Sequence, residues 1–389
     1  MIKRMKRRIK FLKRILVISI VMRLFDGVSL LQAEHSLSVG FYYDTFSDDQ
    51  SPQAYGHECT IPVSLEYEQQ EWFFRIDTAY SRAMVRPGII SKKTLSSLTD
   101  SLCTVSYTLF QRPVNILLGL DLNFPTGKEQ LSQEEKVAEA GENNDLFKVD
   151  DFGEGMNVGF HLGFVRELTD IRVGIYGGYT FYGEYDPTRD IAADDFNPGN
   201  QLVLMTAFDW QVSPQFLLDT FLAYSSFSAD KINGEQIFRE GDKFIVGGGL
   251  YGQYAPFSFN LNWQNAVQSK NDELVEESLE TEIENSNRFE FLGSVDLGYA
   301  CSPELVLHWL SDIRYYGESK RKSPSNGRPY EGKRTRYALG PGFSYIYDEH
   351  ISYHGLAKYF VLNQQPHVLL EDDVTLHGIN VGIGMTYTF

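Results

Sequence analysis

The last twelve residues, GINVGIGMTYTF, alternate without a break. Ile379, Val381, Ile383, Met385, Tyr387 and Phe389 fall on one face, and Gly378, Asn380, Gly382, Gly384, Thr386 and Thr388 on the other. A period of two marks a strand with one apolar face. The pattern recurs along the chain. Val114, Ile116, Leu118, Leu120, Leu122 and Phe124 alternate with Asn115, Leu117, Gly119, Asp121 and Asn123; Met156, Val158, Phe160, Leu162 and Phe164 with Asn157, Gly159, His161, Gly163 and Val165. Phe257, Phe259, Leu261 and Trp263 alternate with Ser258, Asn260, Asn262 and Gln264. Soluble strands average about 5–6 residues, whereas a tilted strand crossing the hydrocarbon of a bilayer needs about 9–11. The alternating runs here have the longer length.

Between the runs, tight turns and long polar loops take turns. Turn signals fall near Gln69–Gln70, Gln111–Arg112, Leu168–Thr169, Ser213–Pro214, Ala255–Pro256, Ser302–Pro303 and Asp348–Glu349. Long loops fall at 47–56, 83–97, 125–154, 184–198, 229–239, 270–286, 317–334 and 364–374. Seven turns interleaved with eight loops predict sixteen strands, 14 to 18 being compatible with the pattern. Short periplasmic turns, longer extracellular loops and an even strand number describe an all-β, closed antiparallel transmembrane β-barrel. Closure is required because strand edges in lipid would leave N–H and C=O groups unbonded, so the last strand should pair with the first.

Residues 1–33 read differently. Nine basic residues against one acid surround the short apolar run Ile15–Met22, and small residues follow at Ser29 and Ala33. That order predicts a secretory signal peptide over 1–33 and a barrel over 34–389; an amphipathic anchor is the alternative. The whole chain carries −17, and removing the basic leader makes it more acidic still, which argues against nucleic acid as a partner. Cys59, Cys103 and Cys301 are scattered without metal-ligand spacing, and no cofactor or metal is expected.

The terminal Phe389, preceded by Tyr387 and the alternating apolar positions, resembles the C-terminal assembly signature of Gram-negative outer-membrane β-barrels. The resemblance implies the outer membrane as location, its lipid and lipopolysaccharide as surroundings, and the barrel assembly machinery as the reader of Tyr387 and Phe389. Sixteen strands with a long third loop resemble the general porins, in which that loop folds inward; a trimer would follow from this analogy alone. The segment Asn123-Phe124-Pro125-Thr126-Gly127-Lys128 is not porin-like. It resembles outer-membrane proteins grouped with phenol-degradation pathways and with functional-amyloid export channels.

The third loop is rich in acids, including Glu139, Glu142, Asp145, Asp150, Asp151 and Glu154. Folded inward, they would form a pore constriction that concentrates cations; folded outward, they would be a solvated surface. Alternation places Glu66, Arg75, Asp77, Asp121, Arg172, Asp219, Asp296, Asp312, Arg314 and Lys358 toward the lumen. They could set a field across the water path, or pair along the wall, as same-face neighbours such as Arg75 and Asp77 would.

Enzyme signals fail on context. Gly247-x-Gly249-x-x-Gly252 lies within a strand, Thr126-Gly127-Lys128 lacks the rest of a phosphate loop, and no Gly-x-Ser-x-Gly occurs. His161, His308 and His354 face inward with no serine partner evident in the sequence. The reading is a non-enzymatic pore or passive transporter for small-molecule solutes, weakly cation-preferring. Alternatives are a channel for hydrophobic or aromatic compounds or an exported polypeptide, then an outer-membrane hydrolase or a surface adhesin.

Overall fold

Alternation in sequence becomes alternation in exposure. Along Gln201–Ser213, Gln201, Val203, Met205, Ala207 and Asp209 are buried, while Leu202, Leu204, Thr206 and Trp210 are exposed. The computed structural model describes residues 34–49, 54–86, 92–110, 113–138, 152–187, 196–324, 327–368 and 372–389. The leader expected at 1–33 lies outside the described residues.

The strands are β1 (Glu34–Asp48), β2 (Tyr55–Gln69), β3 (Trp72–Arg86), β4 (Lys93–Leu98), β5 (Ser101–Phe110), β6 (Asn115–Phe124), β7 (Asn157–Glu167) and β8 (Ile171–Phe181). They continue as β9 (Phe196–Asn197), β10 (Gln201–Ser213), β11 (Phe216–Phe227), β12 (Ala229–Ile232), β13 (Glu235–Arg239), β14 (Lys243–Tyr254) and β15 (Phe257–Gln268). The last are β16 (Asp272–Val275), β17 (Ser278–Thr281), β18 (Glu290–Ala300), β19 (Leu305–Tyr316), β20 (Arg334–Ile346), β21 (Ile351–Gln364) and β22 (Val374–Thr388).

Seventeen of these join in one sheet of antiparallel neighbours. Both β4 and β5 pair with β3, the first alongside Tyr80–Val85 and the second alongside Trp72–Asp77, so they are halves of one wall strand interrupted at Thr99 and Asp100. The wall therefore has sixteen spans. β22 returns to β1 in continuous register from Ser36↔Thr388 to Asp48↔Leu376, which closes the barrel. The seam is thus paired along its whole length, as closure of a sheet in lipid would require.

Register assigns the faces. Tyr42, Asp44 and Phe46 of β1 stand beside Gly382, Asn380 and Gly378 of β22 on the inner side. Ile379, Val381, Ile383 and Phe389 point outward and are exposed. Large aromatics share that outer face, among them Trp72, Tyr80, Trp210, Tyr299, Trp309, Tyr345 and Tyr359; amphipathic rings suit the membrane–water boundary.

Two expectations need correction. The loop at 83–97 shrinks, because β3 runs on to Arg86 and β4 starts at Lys93. The loops at 184–198, 229–239 and 270–286 are not plain coil: they supply β9, β12, β13, β16 and β17, a five-stranded sheet in the order β17-β16-β13-β12-β9 at the long-loop end. Short hairpins such as β12–β13, turning at Asn233 and Gly234 with positive φ, lack the length on which the barrel pattern was recognised.

Candidate functional site

The third long connection turns into the barrel mouth. Leu95 shares the inner face of the wall with its register partner Ala83, and it is 1% exposed because Leu131, Ala138 and Phe152 close over it. A helical turn, Gln133–Ala138, carries Ala138 to this contact. Ser132 starts it: the Glu135 N–H donates to Ser132 Oγ (3.3 Å) and the Ser132 N–H donates back to Glu135 Oε2 (3.0 Å), a reciprocal cap that satisfies two otherwise unbonded donors. Lys93, also on the inner face, pairs with Glu134, and Lys128 pairs with Glu135. Burial pushes the Glu135 carboxyl up, but the Lys128 ammonium and the Ser132 donors outweigh it and hold the group below the usual carboxylate range.

Asp100, at the break between β4 and β5, pins both ends of this connection. Its Oδ1 accepts the N–H groups of Gly127 and Gly153, each at 3.0 Å, and its Oδ2 accepts from the Glu154 N–H (2.8 Å) and Asn123 Nδ2 (3.1 Å). Asn123 Nδ2 also donates to the Gly155 carbonyl at 2.9 Å. Thr126 Oγ1 donates to the Thr99 carbonyl (2.9 Å) and shares a hydrogen bond with Ser101 Oγ (2.7 Å). The Asn123–Lys128 segment is therefore the receiving half of a loop clamp. Sequence reasoning missed Asp100; the polar Thr99-Asp100-Ser101 inside a strand-length run was the available signal. Glu154 sits in the clamp, whereas Glu139, Glu142, Asp145, Asp150 and Asp151 lie outside the described residues.

All ten charged residues expected on the inner face stand there by register, and most are paired. Arg75 bridges Glu66 (3.3 Å) and Asp77 (2.5 Å). Asp121 meets His161 at 3.1 Å and Asp296 meets His308 at 2.8 Å. Arg172 lies 3.2 Å from Glu167 and 3.8 Å from Asp209. Asp219 is the register partner of Asp209. Asp312 makes ion pairs with Arg336 (2.6 Å) and Lys358 (2.6 Å) on the next two strands.

Arg336, absent from the sequence-based set, extends that cluster across the barrel seam. It donates to Asn380 Oδ1 (2.5 Å), Asn380 Nδ2 donates to Asp44 (2.8 Å), and Asp44 faces Glu58 across the β1–β2 ladder. Ser81 Oγ in turn donates to Glu58 at 2.7 Å. Arg336 also stacks on the Phe360 ring, 4.5 Å from its centroid. Strand parity alone would have found Asp44, Asp209 and Arg336; their partners could come only from register.

The inner wall is not uniformly polar. Phe46, Val85, Phe360, Leu362 and Leu376 form a buried cluster near the long-loop end, and Tyr176, Val203, Met205 and Ala223 form another on the far side.

No family model and no curated protein matches this chain. Solved outer-membrane β-barrels are similar in structure. A bacterial polysaccharide outer-membrane secretin is 11% identical, with 92% of this chain and 98% of that one covered and a TM-score of 0.46. The P. putida toluene transporter TodX is 10% identical, covering 92% and 89%, with a TM-score of 0.43. An outer-membrane channel from Pseudomonas putida F1 is 9% identical, covering 94% and 98%, with a TM-score of 0.39.

Proposed function

We propose that this chain is an outer-membrane channel for small water-soluble solutes. The observation that carries the reading is the division of one closed wall into an exposed apolar outer face and a charge-lined inner face, with the third connection turned inward over Leu95. The outer face matches lipid, and a wall of sixteen spans encloses a water path, where eight would be filled by side chains. The third connection narrows that path, and lipid with lipopolysaccharide surrounds it. The C-terminal Tyr387 and Phe389 serve as the signal for barrel assembly.

Selectivity follows from where charge sits. Arg314, Arg336 and Lys358 on β19–β21 outnumber Asp312 among them. Asp121 lies on β6, the fifth span, which is half a turn from β19, the thirteenth. Asp209 and Asp219 add acid on β10 and β11. A field then runs across the lumen and orients a permeating dipole, while the acids of the third connection add a weak cation preference.

A second reading, a channel for hydrophobic or aromatic compounds, draws on the two apolar clusters of the inner wall. Single-channel recording of the refolded protein under a salt gradient tests the first: stepwise, cation-preferring openings are expected. Silence from an inserted barrel, with uptake of an apolar dye into liposomes, would replace it by the second.

A further inference from the structure

Among the inner-face histidines of the described residues, His308 holds a carboxylate on one ring nitrogen and a hydroxyl on the other. His308 Nδ1 lies 2.8 Å from Asp296 Oδ1, and Nε2 lies 3.1 Å from Ser344 Oγ. A carboxylate is a pure acceptor, so Nδ1 carries the imidazole proton and Nε2 is left to accept from the Ser344 hydroxyl. This corrects the sequence reading, in which no serine accompanied an inward histidine. The three residues come from three successive spans, and register explains how they meet. Gly298 and Gly342 are the direct partners of His308 on either side, and Asp296 and Ser344 lie two residues beyond them in opposite directions. The diagonal neighbours on the two flanking strands thereby reach its two ring nitrogens.

We propose that Ser344 is a nucleophile, activated by His308 and oriented through Asp296, that accepts acyl groups from carboxylic esters entering the lumen. The inference rests on the channel reading in one respect: the ester must reach the inner wall. The site allows that approach. The His308 side chain is 20% exposed, and Ser344 and Asp296 are partly exposed as well. His161 shows the contrast. It also meets a carboxylate, but its side chain is 2% exposed and its ring lies flat over Gly119, where an added Cβ would stand 1.6 Å from Nε2. That ring is sealed in the wall; the His308 ring is not.

The chemistry balances with water as the second reactant. Ser344 Oγ bonds to the ester carbonyl carbon while its proton passes to His308 Nε2, and Asp296 stabilises the imidazolium. The C–O bond to the alcohol breaks, and the departing alkoxide takes the proton from Nε2. Water then attacks the acyl-serine, giving its proton to Nε2, and the carboxylic acid leaves as Ser344 regains that proton. Neighbouring strand N–H groups are committed to the ladders, so no pair of backbone donors waits for the oxyanion, and turnover should be slow.

The test is labelling of the refolded full barrel with a small fluorophosphonate, in which Ser344 Oγ displaces fluoride from phosphorus, with the site mapped by mass spectrometry. Label at Ser344 is expected, lost in Ser344→Ala and lowered at least about a hundredfold in His308→Gln, the scale of a lost general base. Retained heat-modifiability on gels shows that each variant is folded. A Ser344→Cys variant treated with a small thiol reagent separates the failures. Modification at 344 without wild-type labelling would overturn the nucleophile and leave the channel standing. No modification at 344 would mean a sealed wall and would overturn both.

Discussion

Asp100 Oδ1 and the N–H of Gly153 meet at 3.0 Å, fifty-three positions apart in the chain. The same oxygen holds Gly127, so a single carboxylate fixes where the third connection leaves the wall and where it returns. Replacing Asp100 by Ala removes four hydrogen bonds to a charged acceptor. At about 1.5–3 kcal/mol for each such bond, the docked connection should come free. Faster limited proteolysis within 125–156 and a larger single-channel conductance are expected; an unaltered conductance would mean that the connection does not narrow the path.

Gly153 has φ of 67°, and a Cβ there would lie 2.6 Å from the Lys128 carbonyl oxygen. Gly234 has φ of 81° with nothing within 4 Å of the same position. Gly153→Ala should therefore loosen the connection as Asp100→Ala does, while Gly234→Ala costs only about 1 kcal/mol of left-handed backbone preference. Hydrogen exchange of the two variants side by side checks the ranking.

Arg336 is almost wholly buried between Asp312, Asn380 and the Phe360 ring. Arg336→Met removes one of the two ion pairs of Asp312 and strips Asn380 of its donor. Breaking a buried pair from one side costs about 3–5 kcal/mol, so the temperature at which the folded band is lost on gels should fall by several degrees. Asp312→Asn should reproduce only part of that loss.

Glu135 offers a pH test. Its carboxyl is held below the usual range in the folded protein, so its contribution to docking is fully present above the ordinary carboxylate pKa. That contribution is lost as pH falls through the lowered folded value. Acidification toward pH 3 should raise protease sensitivity near Ser132–Ala138, and Glu135→Gln should flatten that pH response.

Phe389 donates its N–H to the His35 carbonyl and packs edge-on against Tyr387 at 4.9 Å. Deleting it should reduce the fraction of protein inserted in the membrane severalfold, as measured by fractionation. Normal insertion would assign its exposed ring to lipid packing alone.

The wall was legible in sequence because a period of two, repeated over spans long enough for a membrane, admits few other arrangements. Parity placed Asp121, Asp219, Asp296, Asp312 and Lys358 on the inner face for the same reason. What alternation cannot carry is register. That Asp312 meets Arg336 and Lys358 depends on how neighbouring strands slide, and His308 found Asp296 and Ser344 only through two ladders at once. The Asp100 clamp was hidden more deeply, since its partners Gly127 and Gly153 look like ordinary loop glycines until the wall strand breaks beside them.

The pairing of β1 with β22 has a consequence in time. The first strand of the wall must wait for the last, so until Val374–Thr388 is in place the sheet has two unpaired edges. A translocation intermediate lacking only that span would be as open as one lacking half the wall, and its Asp44 would have no Asn380 to meet it. Closure is thus a zipper between the first and the last span of the wall. Any factor that shelters those edges must hold the N-terminal one throughout and release it only when the C-terminal one arrives.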